Sequence, residues 1–155
     1  MFRIAVGLVV GVLAAGSVQA QQATPPAQQA TAAPAARMFA QDGGMVLCFI
    51  KADKTADFEA VMGKLKEALQ KSPKPERKQQ AASWKIFKAA EPGAAGSVLY
   101  VFVIDPSVKG ADYTVSTILA EAFPADVQTI FKQYADSFAS GQNFINLSLA
   151  IDLGK

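Results

Sequence analysis

Asn143 and Asn146 are side chains of the kind that polarise a carbonyl or steady an oxygen-derived anion, and the single tryptophan, Trp84, offers a flat face to an aromatic ligand. Tyr100, Phe102 and Tyr113, with Phe123 and Tyr134, extend this to a set of rings able to line a pocket for a flat apolar molecule. The same rings on strands and helix stripes also make ordinary core, and asparagines on a sheet margin ordinarily serve the backbone or face water. Three carboxylates, Asp105, Asp112 and Glu121, follow one another closely, a grouping that suits acid–base work or a hard cation. Asp105-Pro106 is equally a strand-ending turn and Asp112 stands where it can cap a short helix, so turn and cap chemistry is the simpler reading.

The residue types that are missing narrow the chemistry. The 155-residue chain has no histidine, which removes the usual general base, the usual zinc ligand and the usual haem ligand. Ser-His and Cys-His machinery goes with it. Cys48 is the only cysteine; it can form no intramolecular disulfide, and within the apolar run Met45–Ile50 a thiol acts as a small hydrophobe. There is no Gly-rich phosphate loop and no metal-spaced set of ligands, so no cofactor and no metal is implied. Catalytic residues stay unassigned; the candidate ligand-binding residues are Trp84, Tyr100, Phe102, Tyr113, Asn143 and Asn146.

The chain opens with Arg3, an apolar run over 4–15 and Val18-Gln19-Ala20, the three parts of a secretory signal. That run is about a dozen residues, short of the roughly 20 that span a membrane. The expectation is cleavage after Ala20 and a periplasmic or secreted product with no stable membrane insertion. Losing residues 1–20 removes Arg3 and no acid, so the net charge falls from +2 to +1. So weak a field does not draw a protein onto nucleic acid. Residues 21–36 are uncharged and rich in Ala, Pro and Gln, which predicts a disordered linker over 21–42 ahead of one domain at 43–155.

Within that domain the patterns predict a strand over 45–51 and a helix over 56–71, capped by Thr55, with the stripe Phe58, Val61, Met62, Leu65, Leu69. The basic run 71–78 (KSPKPERK) reads as a solvated loop. Strands over 83–90 and 97–105 form a hairpin, a short helix covers 114–123, a longer one covers 125–139 and closes at Gly141, and the last strand spans 144–152. The stripe of the first helix recurs 69 positions later as Val127, Ile130, Phe131, Tyr134 and Phe138. Two strand–helix–strand halves predict an α+β, ferredoxin-like β-α-β-β-α-β domain with a short extra helix before the second long one. Its four-stranded antiparallel sheet is expected in the order 4-1-3-2. Because the first and third strands are apolar on both faces, the open face of the sheet should be covered, which predicts a homodimer through the sheets.

The order of elements, the two-sided central strands and the segments Trp84-Lys85-Ile86-Phe87-Lys88 and Tyr100-Val101-Phe102-Val103-Ile104 make residues 44–152 resemble the dimeric α+β barrel superfamily. The nearest likeness is to its antibiotic-biosynthesis monooxygenase-like branch. The resemblance implies two subunits packed through their sheets and a pocket between each sheet and its helices. It leaves the activity open among cofactor-independent oxygenases, haem-degrading enzymes, isomerases and proteins with no known reaction; the histidine-dependent haem site has no counterpart here. The function expected is that of an exported dimeric domain that binds a small apolar ligand or serves as an assembly module. The alternative is a cofactor-independent monooxygenase of an aromatic substrate, with Trp84, Asn143 and Asn146 orienting substrate and oxygenated intermediate.

Overall fold

The structure is a computed structural model that describes residues 36–154. The signal segment, its cleavage site and most of the linker lie outside the described residues. The elements are β1 (Gly43–Ile50), α1 (Thr55–Lys71), α2 (Pro75–Ser83), β2 (Trp84–Pro92), β3 (Val98–Ile104), α3 (Val115–Ala122), α4 (Val127–Ser137) and β4 (Phe138–Leu147). The sheet runs β2-β3-β1-β4 with every neighbouring pair antiparallel. This is an α+β arrangement compatible with a ferredoxin-like fold.

Alternation decides which side of the sheet is inside. In β1, Val46, Cys48 and Ile50 are buried while Met45, Leu47 and Phe49 between them are half-buried, and in β3 Tyr100, Phe102 and Ile104 are buried while Leu99, Val101 and Val103 are half-buried. The buried face receives α1, whose Phe58, Val61, Leu65 and Leu69 recur at helical spacing and join the same core. The other face carries Met45, Leu47, Phe49, Leu99, Val101 and Val103 at its centre, with Phe87 of β2 and Ile145 and Leu147 of β4 beside them by register. It is apolar at its centre, with Lys85 of β2 and Asn143 of β4 as polar positions toward its margins.

Four boundaries depart from the expectation, each for a local reason. The basic run does not stay a solvated loop: Pro75 opens α2, a position where its missing N–H costs nothing, and Arg77 is buried at 2% exposure. Arg77 donates to Glu121, to the Asp112 carbonyl and to Gln80, which is what allows a guanidinium to be buried there. At the other end, α4 stops at Ser137 without a glycine cap, and Gly141 lies within β4. The Ser137 carbonyl accepts the Lys51 N–H at 2.9 Å, which turns the chain into the sheet beside β1. β4 then ends at Leu147, opposite Gly43, the first residue of β1, so Ser148–Asp152 has no strand to pair with.

The fourth departure is at the linker. Residues 37–42, read as its last part, belong to the domain: Phe39 is 1% exposed and stacks on Phe144 at 4.1 Å between centroids, with Tyr113 edge-on at 5.1 Å. Gly44 makes room for that ring, since a Cβ there would fall within it. The backbone is tied as well, with the Tyr113 N–H on the Arg37 carbonyl and the Ser107 N–H on the Asp42 carbonyl. No helix among the described residues is long and apolar enough to cross a membrane.

Candidate ligand-binding cavity

Between the sheet and the α3–α4 pair lies a cavity of about 300 Å³. Its floor is Val46, Phe102, Ile104 and Phe144 from the buried face of the sheet; Trp84, Tyr113 and Val115 form one wall, and Tyr134 and Phe138 another. Arg37 and Phe131, the latter 46% exposed, also line it and reach solvent, which marks the mouth. The size is at the lower end for small-molecule sites, enough for one or two fused rings.

The polar groups at the mouth are held together. Arg37 Nη1 donates to Gln142 Oε1 at 2.8 Å, and Gln142 Nε2 donates in turn to the Tyr134 hydroxyl at 2.8 Å and to Cys48 Sγ at 3.4 Å. The Arg37 guanidinium also lies 5.9 Å from the Phe144 ring centre. Position on the chain explains the chain of contacts: Gln142 and Phe144 alternate onto the buried face of β4, opposite Cys48 and Val46 of β1. Arg37 arrives from the segment that Phe39 anchors. Burial pushes the Cys48 thiol up to about 11, while Gln142 and the Arg37 charge pull it back down. Burial raises the Tyr134 phenol too, against the same two groups. Both stay neutral at ordinary pH. Trp84 Nε1 is buried and has no hydrogen-bond partner among the described residues.

Of the six residues expected to bind a ligand, the structure brings Trp84, Phe102 and Tyr113 to this cavity. Tyr100 goes elsewhere: its hydroxyl donates to Glu59 of α1, which Lys88 of β2 also holds at 2.9 Å. Asn143 pairs with Leu47 on the open face and is exposed. Asn146 lies on the other face but beyond the cavity, where its Oδ1 accepts the Ala40 N–H at 2.9 Å. The three carboxylates separate into different tasks. Asp105 is exposed at the end of β3; Asp112 accepts the Arg37 and Thr114 backbone N–H groups; Glu121 pairs with Arg77 and Lys74. Among the described residues no group of acidic or thiol side chains is gathered as a metal site.

Arg37, Gln142 and Phe144 are the cavity residues that the sequence reading passed over. The available signal was a lone cation closing a long uncharged segment and followed at once by Met38 and Phe39. Comparison with family models, curated proteins and solved structures finds nothing that matches this chain. The functional reading therefore rests on the geometry of the cavity.

Proposed function

We propose that this is an exported binding protein whose ligand, a small flat apolar molecule, occupies the cavity between the sheet and α3–α4. The observation that carries the reading is the aromatic lining of a space of about 300 Å³ that opens to solvent beside Arg37 and Phe131. Trp84 is the only tryptophan of the chain and lines that space, so its fluorescence reports occupancy directly. Titration with one- and two-ring aromatic compounds should give saturable quenching and a raised melting temperature. Ala135→Phe, at a cavity-lining position of α4, should weaken both. Absence of any saturable response across such a panel would dismiss the reading.

The same proposal includes a second copy of the chain on the open face. Four strands about 4.8 Å apart and seven to ten residues long make a face of roughly 500 Å² in projection. That is more than half of the roughly 800 Å² per partner of a stable interface and lies at the upper end of what soluble monomers leave bare. The exposed Leu149, Ile151 and Leu153 beyond β4 lie beside Asp42, Asp105 and Pro106. Light scattering at micromolar concentration should give a dimer mass, and Val101→Asp should give a monomer. A monomeric wild-type protein would remove this part of the proposal and leave the cavity reading standing.

A further inference from the structure

The polar side chains around the cavity are one cation, Arg37, the amide of Gln142 and the hydroxyls of Tyr113, Thr114, Ser116 and Tyr134. Arg37 contributes a guanidinium of five N–H groups, of which the Gln142 contact uses one. The Tyr134 hydroxyl accepts from Gln142 and has no acceptor of its own among the described hydrogen bonds. Against these, no Asp or Glu lines the cavity, and the Gln142 oxygen is already taken by Arg37.

Among the described residues the cation itself has no counter-ion. None of the ion pairs among the described residues includes Arg37; Asp112, the nearest acid in the network, meets its backbone N–H rather than its side chain. Nothing earlier in the chain can supply one, because no acidic residue precedes Asp42. Arg37 is nonetheless fixed in place, by Gln142 at its head group and by Asp112 and Thr114 at its backbone. A fixed guanidinium without an ion-pair partner at the mouth of an aromatic space that no carboxylate lines has the form of a carboxylate receptor.

We infer that the ligand is an anion, a small aromatic carboxylate whose rings lie among Trp84, Tyr113 and Phe144 and whose carboxylate meets Arg37 at the mouth. The inference rests on the ligand-binding reading above and specifies its chemistry. Arg37 is then the residue that sets specificity, and Gln142 is a positioning residue that holds the fork.

The test compares 2-naphthoate with its neutral counterpart 2-naphthylmethanol by isothermal titration calorimetry on the full chain. A charge-assisted contact of this kind predicts that the carboxylate binds about tenfold or more tightly than the alcohol. Arg37→Gln should bring the two affinities together, and Arg37→Lys should keep part of the preference. A measurement independent of any variant is the salt dependence: carboxylate affinity should fall between low and moderate ionic strength while alcohol affinity holds. Equal affinities in the wild type, or a preference that survives Arg37→Gln in a protein with an unchanged melt, would overturn the anion claim and leave a neutral-ligand cavity. Binding of neither compound would overturn the claim together with the ligand-binding reading.

Discussion

The two halves of the domain are built on the same stripe of apolar residues, yet one stripe is buried along its length and the other opens at its edge onto the cavity. In α1, Phe58, Val61, Leu65 and Leu69 are all buried, and Phe58 alone meets Tyr100, Phe102, Tyr134 and Phe138. In α4 only Ile130 and Tyr134 of the matching positions are buried, while Phe131 stands half out at the cavity mouth. Length accounts for much of the difference. At about 1.5 Å per residue, the 17 residues of α1 cover the sheet for some 26 Å, and the 11 of α4 for some 17 Å. The last position of the second stripe, Phe138, has left the helix to open β4. Equal periodicity thus gives a stripe buried along its length where the helix is long and one that opens onto the cavity where it is short.

The sharpest way to break this contrast is to truncate a ring on each side. Phe58→Ala removes a fully buried ring from the packed half and should cost about 3–5 kcal/mol in urea unfolding. Phe131→Ala removes a ring already 46% exposed at a cavity edge, and should cost under about 1 kcal/mol while altering ligand affinity. Similar losses at the two positions would mean that the α4 half is packed as tightly as the other.

A second expected effect concerns the junction of α2 and α3. Glu121→Gln leaves the buried Arg77 hydrogen-bonded only to neutral acceptors, Gln80 and the Asp112 carbonyl, with Glu76 the remaining carboxylate at 3.9 Å, and should cost about 2 kcal/mol. Hydrogen bonding from Arg77 holds the Glu121 carboxyl below its ordinary range, with Lys74 assisting against burial. A depressed carboxyl contributes stability above its unfolded value and loses it as pH falls through the folded one. The wild type should therefore lose more stability than Glu121→Gln on acidification below about pH 4.5. Parallel acid curves would show that the pair contributes nothing.

How far the sequence could be read follows from where the signals were local. The stripe of α1 and the alternating runs of β1 and β3 are short-range patterns, and they sit within a residue or two of their expected places. The class, α+β with four antiparallel strands, followed from them. Arg77 was misread because its burial depends on Glu121 and on the Asp112 carbonyl, both far along the chain, and no window over 71–78 contains them. Arg37 and Phe39 were given to a linker for the same reason: their partners, Gln142, Phe144 and Tyr113, come about 75 to 105 residues later. The cavity was half legible. Its rings could be picked by type, as Trp84, Phe102 and Tyr113 were. The donors that give it polarity could not, because a glutamine on a strand shows its role only once register places it opposite Cys48.

That placement carries the smallest of the expected effects. Cys48 is fully buried and sits under Gln142 in the wall beside the cavity. Burial lifts its thiol from 9.0 to about 11, so the folded state favours the neutral form. A raised value contributes stability that is complete below the unfolded pKa and is lost as pH rises toward the folded one. Between pH 9 and 10 the wild type should lose about 1 kcal/mol more than Cys48→Ala in matched urea titrations, a difference set by a shift of about two pH units. Tyr134, raised first by burial and then by the Cys48 charge, is present in both proteins, and the burial part of its contribution is common to both curves. A thiol reagent offers the companion measurement: at pH 8 the native protein should react only as fast as it opens, and the unfolded chain at once. Rapid native labelling would show that the wall under Gln142 is open to solvent, so that the cavity reaches past Gln142 to the sheet beneath it.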